Sequence, residues 1–170
     1  MRLRDSLSGQ EVELQAGEDG VIGMYVCGPT VYNRIHVGNA RPFVVFQLFK
    51  RYLEWRGQPV RLVENITDIN DKIYAAARQR GVASDRLAAE MAAAYIADTD
   101  RLGLGRPDLE PLATESIAEI VELIGRLIEN GHAYEAEGDV YFAVRSFPEY
   151  GKLSNPVSYT HLTLPTTERV

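Results

Sequence analysis

The chain has 170 residues, a formal net charge of -6 at pH 7 and a single cysteine, Cys27. One cysteine excludes an internal disulfide and favours a reducing compartment, so the predicted location is the cytoplasm. The acidic balance gives no electrostatic indication of nucleic-acid binding, which usually shows as a basic face. No segment approaches the roughly 20 apolar residues that a membrane span requires.

The N-terminal part of the chain predicts a small hairpin followed by a buried strand. Residues 2–15 alternate polar and apolar side chains around Ser8-Gly9, a pattern typical of two short antiparallel strands. The apolar run Val21–Cys27 ends at Gly28-Pro29, which predicts a strand stopped by a turn.

The next predicted elements form a strand–helix–strand unit. Asn39 is the predicted N-cap of a helix that continues to about Arg56, with Gly57 beyond its end. Apolar side chains recur along it at helical spacing, namely Phe43, Phe46, Phe49 and Leu53. Val60–Glu64 is the second strand. Because a helix connects the two strands, we expect them to lie parallel in one sheet.

Two more helices are predicted before the pattern changes. The first runs from about Asn70 to Arg80 and is stopped by Gly81. The second begins with Ser84 as its cap and continues to about Leu102. Its row of alanines favours close packing between helices.

The chain changes character near residue 110. Thr114 is the predicted cap of a strongly periodic helix that ends at Asn130-Gly131. Residues 133–136 and 140–144 flank Glu137-Gly138-Asp139, which is a hairpin signature. The predicted regions are therefore a parallel α/β part over residues 1–110, a helix with a hairpin over residues 111–154, and a disordered or foreign tail over residues 155–170.

One segment, Tyr25 to Asn39, combines several features that suit chemistry. It follows a strand and precedes a helix, and ligands bind at this carboxyl-end crevice in open parallel sheets. The helix start offers a positive dipole end and free N–H groups for phosphate. Gly38 permits close approach of the backbone, His36 can donate hydrogen bonds to phosphate, and the thiolate of Cys27 can bind metal.

Each of these residues has an ordinary structural interpretation when it is considered alone. A single cysteine at the end of an apolar strand is usually a small buried side chain, and a loop histidine is more often structural than functional. Asp68 and Asp71 are typical loop and cap residues. The combination within one strand–loop–helix context favours function.

The segment resembles the signature of cysteinyl-tRNA synthetases, in which a metal-binding cysteine precedes Gly-Pro-Thr-Val-Tyr and the class I His-Ile-Gly-His motif. Here that motif reads His36-Val37-Gly38-Asn39, with asparagine in place of the second histidine. Glu64–Ile73 is a second match to the family. Leu112–Ile117 is a looser third match, with leucine and serine in place of the family's arginine and histidine. The resemblance covers roughly residues 2–154.

The resemblance implies a fold and a set of site residues. The fold is α/β, the first half of a Rossmann-like class I catalytic domain followed by the start of an α+β insertion. Cys27 would be one zinc ligand, and the zinc would hold the thiolate of the substrate cysteine. The residues that would line the cysteine and adenylate site are Gly28, Thr30, Asn65 and Thr67. The residues that would contact the phosphates of ATP are His36, Gly38 and Asn39, of which His36 and Asn39 are the predicted catalytic residues.

The resemblance also implies partners: L-cysteine, ATP and, for the full-length protein, tRNA(Cys). The remaining zinc ligands, the second half of the nucleotide fold and the Lys-Met-Ser-Lys-Ser loop of class I enzymes have no match in the chain. We therefore expect that the parent protein is a cysteine–tRNA ligase and that this fragment alone is inactive.

Three other interpretations remain open from the sequence. The cysteine ligase of mycothiol biosynthesis shares the fold, zinc and adenylate chemistry but attaches cysteine to an amino-sugar. A second alternative is a non-catalytic half-domain that retains weak nucleotide affinity. The third is a fragment without a stable fold, because half of a parallel sheet exposes an apolar edge.

Overall fold

The computed structural model describes residues 1–154. Within this part the strands are β1 Arg2–Arg4, β2 Glu11–Glu13, β3 Ile22–Val26, β4 Val60–Glu64, β5 Ala133–Ala136 and β6 Asp139–Phe142. The α-helices are α1 Val37–Trp55, α2 Asp71–Arg80, α3 Ser84–Arg101 and α4 Ile117–Glu129, and short 3₁₀ turns cover Thr114–Ser116 and Val144–Ser146.

The chain divides into two compact units. Among the described residues, one unit is Gln15–Ile117, and the other combines Met1–Leu14 with residues 118–154. The predicted boundary near residue 110, between a parallel α/β part and a helix with a hairpin, stays a prediction. The predicted tail over residues 155–170 lies outside the described residues.

The unit Gln15–Ile117 is built on a parallel strand–helix–strand arrangement. β3 pairs with β4 in parallel from Ile22 opposite Val60 to Val26 opposite Glu64, and α1 connects the two strands. This confirms the predicted unit. A parallel bridge joins Val63 of β4 to Leu109, and a second joins Ile66, just beyond the end of β4, to Leu112. The apolar core of this unit contains Val26, Phe43, Leu62, Ile73, Leu87, Met91 and Tyr95.

Helix α1 begins earlier than the sequence predicts. Its N-cap is His36, whose backbone is extended and whose Nδ1 accepts a hydrogen bond from the Gly38 N–H at 3.0 Å. Asn39 therefore lies in the first turn, and the prediction that it caps the helix is wrong. Asparagine is the commoner cap, but an imidazole nitrogen two residues before an N–H can fill the same role. The predicted end before Gly57, which has φ of 78°, is confirmed.

Of the other three helices, α2 starts where the sequence predicts, whereas the predicted caps of α3 and α4 differ from the observed ones. Asn70 caps α2 through its Oδ1, which accepts from the Lys72 N–H at 3.0 Å, and this agrees with the predicted start of the helix at about Asn70. Ser84 is the first helical residue of α3 and the cap position is Ala83, so the predicted serine cap is wrong. Thr114 opens a 3₁₀ turn instead of capping α4, because its N–H and hydroxyl both donate to the carboxylate of Asp68.

The other compact unit contains both predicted hairpins. β1 pairs antiparallel with β2, with Leu3 opposite Val12, and β5 pairs antiparallel with β6. The tight turn between β5 and β6 has positive φ at both Glu137 (55°) and Gly138 (87°), the geometry that matches the twist of a hairpin. Among the helices of residues 1–154, none is long and apolar enough to cross a membrane.

A charged residue lies in the core at the end of β4. Glu64 is only 3% exposed, and its carboxylate accepts a hydrogen bond from the hydroxyl of Tyr95 on α3. Burial raises the pKa of the Glu64 carboxyl, while the Tyr95 hydrogen bond and the positive charge of Arg106 oppose that shift.

Replacement of Glu64 by glutamine is expected to change how stability depends on pH. Because the pKa of Glu64 is raised in the folded protein, its contribution to folding is fully present below the unfolded-state pKa and is lost as the pH rises through the raised value. Glutamine keeps an oxygen acceptor but does not titrate. Urea unfolding should show Glu64→Gln gaining stability relative to wild type as the pH rises from about 4 to about 8. A constant difference across this range would contradict the raised pKa.

Candidate active site

The predicted site residues gather where β3 and β4 end. A cavity of about 380 Å³ opens between the segment after β3 and the start of α1. Six of the predicted residues line it: Cys27, Gly28, Thr30, His36, Gly38 and Asn39. Strand order and chain direction explain this grouping, because the carboxyl ends of parallel strands meet at one edge of the sheet.

Asn65, the residue after β4, holds the two strand ends together. Its Oδ1 accepts hydrogen bonds from the Gly28 N–H at 3.0 Å and from the Tyr25 hydroxyl at 2.9 Å. Its Nδ2 donates to the hydroxyl of Thr67 at 3.1 Å. Asn65 and Thr67 are not among the residues that line the cavity. Their contacts position the cavity wall, and the direct binding role predicted for them stays a prediction.

The segments after the two strands stay paired beyond the sheet. Thr30 forms a parallel bridge with Thr67, in which the Val31 N–H donates to the Thr67 carbonyl at 3.1 Å. The Thr67 N–H donates in turn to the Pro29 carbonyl at 3.0 Å. Residues 29–31 therefore leave the strand in a fixed direction, towards the first turn of α1.

Gly28 is the point of closest approach between these segments. A Cβ at this position would lie 1.5 Å from the backbone oxygen of Asn65. No side chain fits there, because both groups in the contact are backbone and cannot swing aside. The requirement for glycine is thus steric, and positive φ is not its cause, since Gly28 is not among the glycines with positive φ.

Two polar contacts tie the loop before α1 to the helices of the same unit. Arg34 donates from its Nη2 to both carboxylate oxygens of Asp98 on α3, at 3.1 and 3.2 Å. The Oδ1 of Asn33 accepts from Arg80 on α2 at 3.1 Å. Sequence reasoning missed these partners, because nothing in the local pattern pairs residues so far apart in the chain.

The electrostatics of the cavity suit an anion. No acidic residue lies in the first turn of α1, so no carboxylate offsets the positive end of the helix dipole. Lys72 also lines the cavity. Since the Nδ1 of His36 accepts from Gly38, a neutral imidazole carries its proton on Nε2 and can donate from there. These groups together can bind phosphate oxygens.

Tyr95 and Phe43 complete the inner wall, and sequence reasoning did not assign either to the site. Both line the cavity. Their rings meet edge-on, with centroids 5.4 Å apart and an interplanar angle of 71°. The available signal was a single aromatic residue within the alanine-rich stretch of α3.

The thiol of Cys27 is exposed, in contrast to the buried side chain that is usual for a cysteine ending an apolar strand. Its sulfur lies 3.8 Å from the Gly28 carbonyl oxygen. Within residues 1–154, no group of three or more His, Cys, Asp or Glu residues could hold a metal ion. The described residues therefore do not fit a complete zinc site and provide one thiol donor only.

This strand–turn–helix site is accompanied by sequence similarity along nearly the whole chain. A family model described as the tRNA synthetases class I (C) catalytic domain matches residues 13–167. The chain belongs to this family of class I tRNA synthetase catalytic domains, which confirms the resemblance noted from the motifs. The α/β content of the unit Gln15–Ile117 agrees with that membership.

Within the family, the chain is similar to proteins named Cysteine–tRNA ligase. The one from Brevibacillus brevis is 46% identical over 155 residues, which is 91% of this chain and 33% of that protein. Those from Carboxydothermus hydrogenoformans and Thermotoga petrophila are 48% and 49% identical over 154 residues, covering 91% of this chain and 33% and 34% of those proteins. The chain thus spans about a third of the length of the curated relatives it matches.

Substitution of Gly28 by alanine tests the close contact with Asn65. The added methyl group would overlap the Asn65 carbonyl oxygen, so the strand ends must separate, and we expect a loss of about 3 kcal/mol or more in the free energy of unfolding. Gly23→Ala, in strand β3 that ends just before Gly28 and with nothing within 4 Å of its added Cβ, is the matched control and should be neutral or slightly stabilising. Equal stability of the two variants in urea denaturation would show that the contact is not as close as described.

Proposed function

We propose that this chain carries the cysteine- and ATP-binding part of a cysteine–tRNA ligase. The whole protein would activate L-cysteine with ATP to cysteinyl-adenylate and transfer the cysteinyl group to tRNA(Cys). The observation that carries the proposal is the placement of Cys27, Thr30, His36, Gly38 and Asn39 around one cavity at the ends of parallel strands. The names of the relatives favour a tRNA acceptor over the amino-sugar acceptor of the mycothiol ligase.

The proposed reaction needs alignment and charge stabilisation more than a protein nucleophile. The carboxylate oxygen of cysteine attacks the α-phosphorus of ATP, a new O–P bond forms, and the bond to the β-phosphate oxygen breaks to release pyrophosphate. Negative charge is redistributed over the phosphate oxygens during this step. The Nε2–H of His36, the amide of Asn39 and the first turn of α1 are the proposed donors to those oxygens.

The amino-acid end of the site is proposed to lie beside Cys27 and Thr30. Zinc is the metal that the family resemblance implies, and when bound it would prefer a soft thiolate over the hydroxyl of serine. Cys27 is proposed as one of its ligands, with the other protein ligands supplied from outside the described residues. Gly28, Asn65 and Thr67 are proposed to shape the pocket for cysteine and adenylate.

The wider architecture is proposed on the same basis. The parallel pair β3–β4, extended by the bridges at Leu109 and Leu112, supports a Rossmann-like sheet. The helix and hairpin of residues 111–154 are proposed as the start of the α+β insertion. The proposed location is the cytoplasm, where charged tRNA is used.

Binding of an adenylate analogue tests the proposal without requiring turnover. Calorimetric titration of the chain with cysteinyl-sulfamoyl adenylate should give saturable heat. His36→Ala should weaken binding by about tenfold or more, because it removes a donor to a charged phosphate-like group and the cap of α1. His132→Ala, in the other compact unit, is the matched control and should bind as the wild type does.

Two results would overturn the proposed site. One is the absence of heat from the wild-type chain at millimolar analogue, although the chain shows a cooperative thermal unfolding transition. The other is equal affinity of His36→Ala and His132→Ala for the analogue. In either case phosphate recognition at the start of α1 would be rejected.

A further inference from the structure

A buried polar pair joins the cavity wall, at Tyr95, to the core residue Glu64. Tyr95 is 4% exposed and Glu64 is 3% exposed, and the tyrosine hydroxyl donates to the Glu64 carboxylate. Tyr95 and Phe43 line both the 380 Å³ cavity and a second, much smaller cavity of about 10 Å³ that also touches Glu64. Tyr95 therefore borders the site, while its hydroxyl is bonded to the core residue Glu64.

Through Glu64, the pair is next to the contact between Asn65 and Gly28 that joins the ends of β3 and β4. It is the last residue of β4 and immediately precedes Asn65, whose side chain holds the Gly28 N–H. The backbone N–H of Glu64 donates to the Leu109 carbonyl at 3.0 Å, which fixes the strand on its other edge. A displacement of the Glu64 side chain would therefore move Asn65 and the turn at Gly28.

The pair lies in a small charged cluster. Arg106 forms an ion pair with Glu110, and Gln47 and Thr99 line the same small cavity. The hydroxyl of Thr99 donates to the backbone carbonyl of Tyr95 at 3.0 Å. The Thr99 bond ties the backbone of α3 at Tyr95, next to the hydroxyl that donates to Glu64.

An apolar pair of similar size would be the simpler way to fill this space. Removing a carboxylate from water is costly, and replacing buried charged groups by apolar side chains is often neutral or stabilising. A hydrogen bond, in contrast to an apolar contact, fixes both distance and direction. The geometry of the pair therefore favours a role in placing the site over a role in stability alone.

We propose that Tyr95 and Glu64 are positioning residues for the site, which set the location of Asn65 and Gly28 on one side and of Phe43 and α1 on the other. This inference rests on the proposed function, because it assigns the two residues to the binding of the adenylate. Neither residue is proposed to react with the substrates. Tyr95 acts from the cavity wall and Glu64 acts through Asn65.

The test uses three variants of the chain with the cysteinyl-sulfamoyl adenylate titration, at a temperature where each variant is fully folded. Tyr95→Phe removes only the hydroxyl, and Glu64→Asp withdraws the acceptor by one methylene. Both should bind the analogue about tenfold more weakly, which corresponds to the loss of one directed hydrogen bond. Glu64→Gln keeps an acceptor oxygen at full length and should recover most of the affinity.

Amide hydrogen exchange provides a second readout that does not need a ligand. Tyr95→Phe should speed exchange of the Gly28 N–H, which is bonded to Asn65, and leave the hairpin β5–β6 unchanged. Tyr141→Phe, in that hairpin, is the matched control because it also removes a tyrosine hydroxyl bonded to a carboxylate, here that of Asp139. It should alter neither analogue affinity nor Gly28 exchange.

The outcomes separate this inference from the proposed function. If the wild-type chain does not bind the analogue, the proposed function is wrong and the adenylate role of the pair is rejected with it. If the wild type binds and both Tyr95→Phe and Glu64→Asp bind equally well, the positioning role is rejected while the function stands. If Tyr95→Phe does not fold, Glu64→Asp against Glu64→Gln decides the question, and equal affinity of these two overturns it.

Discussion

The close contact between Gly28 and Asn65 is the constraint on which the rest of the site depends. The backbone of one strand end lies against the backbone of the next, in a space that no side chain could enter. The Asn65 side chain then bonds to Gly28, Tyr25 and Thr67 at once. Because these bonds are short-range and directional, the chain leaves the sheet from a fixed point in a fixed direction.

The contact at Gly28 also determines where the loop before α1 begins, and further contacts restrain that loop up to the helix. The bridge between Thr30 and Thr67 continues the pairing, and the bonds of Arg34 to Asp98 restrain the loop before α1. His36 then ends the loop as the cap of the helix. The bond that makes His36 the helix cap therefore also fixes the orientation of its own imidazole ring. The free nitrogen of that ring, Nε2, is proposed to donate to phosphate. Structure and chemistry depend on one residue here, which is why its removal is informative.

The sequence predicted what is local and missed what is distant. Strand β4 and the end of α2 at Gly81 follow from apolar runs and glycine, and the structure confirms them. The caps of α1 and α3 were predicted wrongly, because cap preference ranks residue types and cannot show which neighbouring side chain reaches the free N–H groups. Such errors are of one to three residues and leave the site intact.

The sequence predicted which residues line the site, but it did not predict the contacts that position them. The motif around His36 placed six residues that do line one cavity. The bonds of Asn65 to Tyr25 and Gly28, and the bond between Glu64 and Tyr95, join residues 31 to 40 positions apart. No periodic pattern encodes such contacts, since the Asn65 bonds form only when β3 pairs with β4, and the Glu64 bond forms only when Tyr95 of α3 reaches the end of β4. The extent of the parallel sheet beyond β3 and β4 likewise stays a prediction.

Mapping the bound analogue on the protein tests the central claim most directly. In ¹H–¹⁵N correlation spectra of the labelled chain, added cysteinyl-sulfamoyl adenylate should shift the amide signals of Gly28, Thr30, Gly38 and Asn39 together. The signals of the hairpin β5–β6 should remain in place. Shifts confined to other residues, or a spectrum unchanged at saturating analogue, would contradict the assignment of the substrate site to the ends of β3 and β4.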